Sequence, residues 1–509
     1  MTATTLESRE NIIKAMQSAD FYDHDVDSVS LIQTHISWVF LTGEYAYKIK
    51  KPMDFGFLNF TELSQRQHFC EQEIQLNKRL ADQVYLQTVK ITGTEEHPVF
   101  NSDGEAIEYA VKMRQFDQSN LIDKLLSDGR LEDSQIDEIA DQVADFHQSI
   151  NTVTEDSELG SAASVNAPVI QNFDQLDPLI KQADAREQLG RLRSWSEKEF
   201  SKLEDILKQR KNNGFIRECH GDMHLGNMAL INNKVTIFDG IEFNDEFRWI
   251  DVMSEVAFLV MDLIDRGASN FAYRFLNRYL EQTGDYEGLR VLRFYLVYRA
   301  MVRAKIASFT LLTPDLPADQ VEKTMQQYQS YTNLAESFTE DKKPTLYITH
   351  GVSGSGKTTV SQKLLESDSL IRLRSDIERK RLFNIAANDS SRSLPDAGIY
   401  TTDAGQKTYQ QLQKFAKLLL EQSFNVIVDA TFLESDFRLM FQELAMDLPA
   451  NYSIIELEAD KATLEQRILV RQQSDENASE ADLTILEKQL SSYQPLSEQE
   501  QEFVLRIDF

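Results

Sequence analysis

Between Leu31 and Pro52 apolar and polar positions alternate, with Trp38, Phe40, Tyr45 and Tyr47 in the apolar runs and Thr42-Gly43-Glu44 between them. A period of two predicts strands and the polar break predicts a turn, so the stretch reads as a hairpin. Residues 1–30 read as a short helix with an acidic tail. Leu63 to Leu80 shifts to helical spacing, and Ala106 to Met113 is again strand-like. Ile136 to Ile150 puts Ile139, Val143 and Phe146 on one helical face. Glu155 to Val169, with Gly160, Ser161 and Ser164, reads as a loop, and Ile180 to Lys211 as a long polar helix. Trp249 to Phe338 reads as several helices. Glu340-Asp-Lys-Lys-Pro344 is charged, short and ends in proline, which marks a linker. From Thr345 a strand, a glycine loop and a helix follow, the opening of an α/β domain.

Composition narrows the classes. A chain of 509 residues exceeds one ordinary core. A net charge of −29 argues against general nucleic-acid binding, which relies on Lys and Arg, although a local basic groove stays open. Two cysteines, Cys70 and Cys219, provide no disulfide framework or Cys-rich zinc site. The first residues lack a basic and an apolar segment of the signal-peptide kind. The strongest apolar run, Val252 to Ile264, carries Glu255 and Asp262 and reads as a buried helix. A soluble cytoplasmic protein without a membrane partner is the expectation.

Two segments carry phosphate chemistry. The first is His220-Gly-Asp222-Met-His-Leu-Gly-Asn227, followed by Asp239 after the strand-like run Val235 to Phe238. Phosphoryl transfer from ATP needs a carboxylate to orient a hydroxyl, and oxygen ligands to hold Mg2+ against the phosphates. His-Gly-Asp with Asn five after the Asp resembles the catalytic loop of aminoglycoside and choline kinases. That resemblance implies a two-lobed, α+β protein-kinase-like fold over residues 1–340, with an N-lobe to about 113 and a C-lobe over 114–340. It makes Asp222 the catalytic base, Asn227 and Asp239 the metal ligands, and His220 and Asp251 supports of the loop. It also implies a strand lysine for the ATP phosphates. Lys50 is favoured and Lys48 stays open, with Glu73 as the pairing carboxylate, Glu71 as its rival and Met113 to Phe116 as the hinge facing adenine. Asp54-Phe55-Gly56 spells a kinase metal motif but precedes any catalytic loop, so it reads as a turn. His224 reads as loop packing. Arg299 and Arg303, four apart on a helical pattern, read as salt-bridge partners or as an anion site.

The second segment is Gly351-Val-Ser-Gly354-Ser355-Gly356-Lys357-Thr358, between a strand and a helix that opens at Thr359. This is a complete P-loop. Its glycines let backbone N–H groups turn inward, Lys357 reaches the β/γ-phosphates and Thr358 takes Mg2+. Asn425 to Asp429 is a buried strand ending in a carboxylate, in a Walker-B-like place for Asp429 to act on the metal. Arg374-Ser-Asp376-Ile-Glu-Arg379 resembles the acceptor site of the polynucleotide-kinase, gluconate-kinase and zeta-toxin-like group. That resemblance makes Asp376 the activator of the acceptor hydroxyl and Arg379 its phosphate or transition-state partner. It makes Arg467 and Arg471 lid arginines. Arg438 is a candidate substrate contact, and Val504 to Asp508 a final strand.

Together the segments resemble a bacterial fusion of an aminoglycoside-phosphotransferase-like kinase domain with a zeta-toxin-like P-loop domain of AAA type at 341–509. The resemblance implies a bifunctional, ATP- and Mg2+-dependent phosphotransferase acting on hydroxyls of small molecules. The alternatives are a regulatory nucleotide-binding role for one domain, or polynucleotide-end phosphorylation by the P-loop domain. Arg372, Arg374, Arg379, Lys380 and Arg381 would supply the basic groove that the last one needs.

Overall fold

The structure is a computed structural model that describes residues 4–312, 316–386, 389, 398–471 and 482–506. The chain groups into two compact units. One comprises residues 1–135, 149–168 and 207–259, and the other residues 136–148, 169–206 and 260–509.

The first unit is organised by a six-stranded antiparallel sheet. In spatial order its strands are Ser30–Gln33, Ser37–Leu41, Tyr45–Lys50, Glu108–Arg114, Tyr85–Gly93 and Pro98–Phe100. The expected hairpin is there. Thr42 closes its turn by donating both its N–H (2.9 Å) and its hydroxyl (2.8 Å) to the Tyr45 carbonyl. Gly43 sits in the turn at φ +99°, where a side chain is disfavoured. A further strand, Ser30–Gln33, pairs along its outer edge. Trp38, Phe40, Tyr47 and Ile49 pack with Val89 and Ile91 and with Ile12 and Met16 of the helix Thr4–Met16. The helix Leu63–Ala81 matches the periodic reading and buries Cys70, Glu73, Leu76 and Asn77. Strands Tyr85–Gly93 and Pro98–Phe100 were not anticipated. Polar Gln87, Thr88, Lys90 and Thr92 break up the apolar run that would have announced the longer one. After the sheet come two antiparallel pairs, Ile216–Glu218 with Trp249–Asp251 and Met228–Ile231 with Lys234–Ile237. Asn232 and Asn233, both at positive φ, make the tight turn of the second pair.

The second unit holds the helices Ser269–Thr283, Leu289–Thr310 and Ala318–Ser337, then a four-stranded parallel sheet. The sheet order is Leu370–Arg374, Asn425–Asp429, Thr345–His350, Asn451–Glu456. Buried runs such as Val426, Ile427 and Val428 are what a parallel strand covered on both faces requires. The linker is pinned by Arg293, which donates to the carbonyls of Phe338 and Glu340 and to Asp341, each at 2.9 Å.

Two expectations change. The supposed loop Glu155 to Val169 is helical from Ala162, in the helix Ala162–Leu176. The Ser161 hydroxyl accepts the Ser164 N–H at 3.1 Å, so the serine that suggested a loop sits where a helix-starting cap belongs. The supposed final strand reduces to a parallel bridge of Val504 to Ile454 after the turn Glu500–Phe503, while residues 507–509 lie outside the described residues. Val252–Asp265 is a helix with Glu255 and Asp262 buried in it, and no described helix is long and apolar enough to cross a membrane.

Candidate active sites

Lys48 and Lys50 share a face of their strand because side chains alternate. The geometry gives them different tasks. Lys48 Nζ lies 2.9 Å from Glu73 and 2.5 Å from the Asp239 carboxylate. Lys50, only 1% exposed, is enclosed by Glu73 at 2.7 Å and by Glu242. Burial opposes both ammonium charges, but the carboxylates outweigh it and hold Lys48 well above the usual lysine range. Glu73, buried but facing both lysines, is held at about 2. Glu242 is pushed up by burial, against the pull of Lys50. The favoured Lys50 is therefore the enclosed member, and Lys48 is the one beside the candidate metal carboxylate. Glu71 is exposed on the other side of its helix and pairs with Gln67 at 2.9 Å. Glu242 was missed, and its signal was only its place three residues after Asp239.

In the candidate catalytic loop, Asp222 and Asn227 are in contact. The Asn227 side-chain amide donates to the Asp222 carboxylate at 3.1 Å and to its carbonyl at 3.0 Å. That makes Oδ1 the atom Asn227 would offer a cation. His220 is buried, its Nε2 lies 2.9 Å from the Phe238 carbonyl, and burial lowers its pKa. Asp239 sits at φ +62°, a left-handed conformation that aspartate tolerates better than most residues. Its N–H donates to the Tyr85 hydroxyl at 3.1 Å, and the next N–H, from Gly240, donates to Asn77 at 2.7 Å. Glu255, fully buried, accepts the N–H groups of His220 (3.2 Å) and Gly221 (2.6 Å). Asp251, cast as a loop support, accepts from Arg210 at 2.7 and 2.8 Å and from the Met253 N–H at 2.8 Å. The acid bonded directly to the loop backbone in these contacts is Glu255, which sequence reasoning had only counted against a membrane span. His224 caps the turn Leu225–Asn227, accepting the Gly226 N–H at 3.1 Å. Phe116 of the expected hinge meets Phe238 edge-on at 5.2 Å. Asp54 accepts the Gly56 N–H at 2.7 Å, a local turn.

At the P-loop, Gly354 and Gly356 have φ +83° and +99°, and a Cβ on Gly351 would fall 2.5 Å from the Leu457 carbonyl oxygen. The loop thus needs its glycines. Lys357 Nζ donates to the Val352 carbonyl at 2.8 Å. Ser355 Oγ is buried with no hydrogen-bond partner among the described residues, an orphan that a phosphate oxygen would satisfy. Thr358 and Thr359 are exposed at the start of the helix Lys357–Asp368. Asp429 ends its strand, 3.2 Å from the Ser361 hydroxyl in that helix. A hydroxyl and a carboxylate are hard oxygen donors of the kind Mg2+ takes, so the residues fit the ion. Arg467 donates to the Gly354 carbonyl at 3.2 Å, across the loop. The side chain of Arg471 lies outside the described residues. Arg379 lies 3.6 Å from Asp376, one turn along the helix Ser375–Leu382.

Arg438 is not a substrate contact. It is 1% exposed, pairs with Glu500 at 2.6 Å, and donates to the carbonyls of Phe432, Leu433 and Gln494. Its full set of donors ties the C-terminal residues to the sheet. Arg299 stacks against Tyr298 at 5.3 Å, and Arg303 reaches the Tyr331 hydroxyl at 3.4 Å. His350, buried under the loop, lies 3.0 Å from both the Phe432 carbonyl and the Tyr493 hydroxyl, and burial lowers its pKa to about 4.

A protein of Mycobacterium tuberculosis described as uncharacterized is 26% identical over 449 residues, covering 88% of this chain and 87% of its own length. A Mycobacterium bovis protein matches to the same extent. Among solved structures, an amicoumacin kinase in complex with AMP-PNP and Ca2+ aligns at 11% identity, covering 65% of this chain and 96% of its own, with a TM-score of 0.41. A gluconokinase of Sinorhizobium meliloti aligns at 18% identity, covering 32% and 82%, with a TM-score of 0.23. Residues 63–295 match the pattern of the phosphotransferase enzyme family, and residues 346–496 match that of an AAA domain. The chain is accordingly a kinase, with one stretch that matches the phosphotransferase enzyme family and a later one that matches an AAA domain.

Proposed function

We propose that the protein is a bifunctional ATP-dependent phosphotransferase whose two domains, at 1–340 and 341–509, each move the γ-phosphoryl group to a hydroxyl of a small molecule. What supports the reading is that each stretch with kinase-like sequence has its own candidate acid and its own candidate metal carboxylate. Asp222 is bonded to Asn227 in the loop preceding Asp239, and Asp376 leads the helix that follows the strand next to Asp429. In the first site Asp222 orients the acceptor hydroxyl and takes its proton, Lys48 meets the nucleotide phosphates, and Asn227 and Asp239 hold the cation. Lys50 keeps Glu73 in place. In the second, backbone N–H groups of the loop cradle the phosphates and Lys357 swings from the Val352 carbonyl to them. Asp376 orients the acceptor, while Arg379 and Arg467 meet charge on the transferred group. Mg2+, when bound, supplies the charge that neutralises the phosphate oxygens. Arg372 and Arg374 pair with Glu281, and Arg381 with Glu378, which supports a small acceptor over a nucleic-acid groove.

The test is ATP consumption by wild type, Asp222→Ala, Lys357→Ala and the double variant, with Mg2+ and pooled metabolites, nucleosides and aminoglycosides. Two working kinases predict that each single variant loses a different acceptor-dependent fraction. If one single variant loses all turnover and the other none, bifunctionality is wrong.

A further inference from the structure

The strand Leu370–Arg374 is an edge of the parallel sheet and leads straight into Asp376. An edge strand presents unpaired backbone groups. Here the helix Ser269–Thr283, which lies within the stretch matching the phosphotransferase family, supplies the partner. Asn277 accepts the Arg372 N–H at 2.6 Å and donates to the Leu370 carbonyl at 2.8 Å, so one side-chain amide pairs the strand as a neighbouring strand would.

One turn further along the helix, Glu281 accepts from Arg372 at 2.9 and 2.7 Å and from Arg374 at 3.2 Å. Arg372 continues to Ser361 Oγ at 3.4 Å, and that hydroxyl reaches the Asp429 carboxylate at 3.2 Å. Arg374 is the register partner of Asp429 on the adjacent strand. Glu281, Arg372, Ser361 and Asp429 are all buried, so each charge depends on its neighbours for compensation. Although burial opposes it, Arg372 and Arg374 hold the Glu281 carboxyl below its usual range. The P-loop helix, the candidate acceptor strand and the candidate metal carboxylate thus share one hydrogen-bonded chain that begins outside the P-loop domain's own sequence.

We propose that Glu281 is a positioning residue for the P-loop site, setting through Arg372 and Ser361 the orientation in which Asp429 presents its carboxylate to the divalent cation of the nucleotide. This rests on the P-loop being a nucleotide site. It separates Glu281 from an ordinary structural ion pair, because groups behind a metal ligand tune metal affinity while leaving the bare nucleotide contacts alone.

The experiment uses the full chain and Mn2+ as probe, with bound Mn2+ counted by electron paramagnetic resonance and binding of ATP measured with and without the metal. The Mn2+–ATP fraction that Lys357→Ala abolishes defines the P-loop site. Glu281→Gln should weaken Mn2+ at that site by about tenfold while metal-free ATP binding holds. Ser361→Ala, which deletes only the hydroxyl between Arg372 and Asp429, should weaken it in the same sense. It decides the matter alone if Glu281→Gln does not fold. Unchanged Mn2+ affinity in the folded variants, or equal losses with and without metal, overturns the proposal. If Lys357→Ala abolishes no Mn2+–ATP binding, the nucleotide-site reading falls first and the proposal falls with it.

Discussion

The two candidate phosphate sites differ in what they are made of. The first is built from side chains: Lys48, Lys50, Glu73, Asp239 and Glu242 come from the sheet, a helix and a late loop, and they meet only after folding. The second is built mainly from backbone, eight consecutive residues whose glycines shape the loop wherever a strand and helix flank it. A site made of distant charges depends on tertiary packing for both its geometry and its ionisation. A site made of local backbone does not.

The largest effect that would break this comparison is on turnover. Asp222→Ala should lower acceptor-dependent turnover at the first site by about 10²–10⁴, the scale of an acid/base group, with the fraction dependent on Lys357 unchanged. Equal losses at both sites would mean that they are not independent chemistries.

A sharper division concerns the two lysines. Lys50→Met leaves Glu73 and Glu242 buried around a lost charge and should reduce unfolding free energy by about 3–5 kcal/mol in a denaturant titration. Lys48→Met removes the group beside Asp239 and should act mainly on ATP affinity at the first site. If Lys50→Met instead weakens ATP and leaves stability alone, the assignment of the two strand lysines is reversed.

The smallest effect is on pH. His350 folds with a pKa of about 4, below its usual 6.5, because burial disfavours its charge. Between these values the unfolded chain binds the extra proton, so stability is fully present above about 6.5 and declines as pH falls toward about 4, by on the order of 3 kcal/mol. His350→Asn should flatten that part of the stability curve. A wild-type curve already flat there would show that His350 titrates normally. Glu73, held at about 2, adds a loss only below about 4.5 and through about 2, so the two windows are separable.

Much of this was readable in advance where the signal is local. The P-loop, the loop from His220 to Asn227, and the helices Leu63–Ala81 and Ala183–Asn212 announce themselves through short spacings or sustained periodicity. What escaped was either masked or distant. Polar residues interrupt the strand Tyr85–Gly93, and Ser161 resembles a loop residue until it caps a helix. Arg438 follows the candidate metal carboxylate Asp429 closely in sequence, but its partners Glu500 and Gln494 come from much further along the chain and draw it inward.

By itself, the sequence determined that a kinase-like loop from His220 to Asn227 and a glycine-rich P-loop from Gly351 to Thr358 share one chain, because those patterns act over a few bonds of backbone. Only the tertiary structure decided that Lys48 faces Asp239 while Lys50 is locked between Glu73 and Glu242, that Glu255 bonds the backbone of the His220 loop, and that Glu281 pairs with Arg372. Each of these pairings joins polar or charged groups far apart in sequence, at least one of them buried. Partners of that kind are selected by desolvation, which exists only once the core has closed around them.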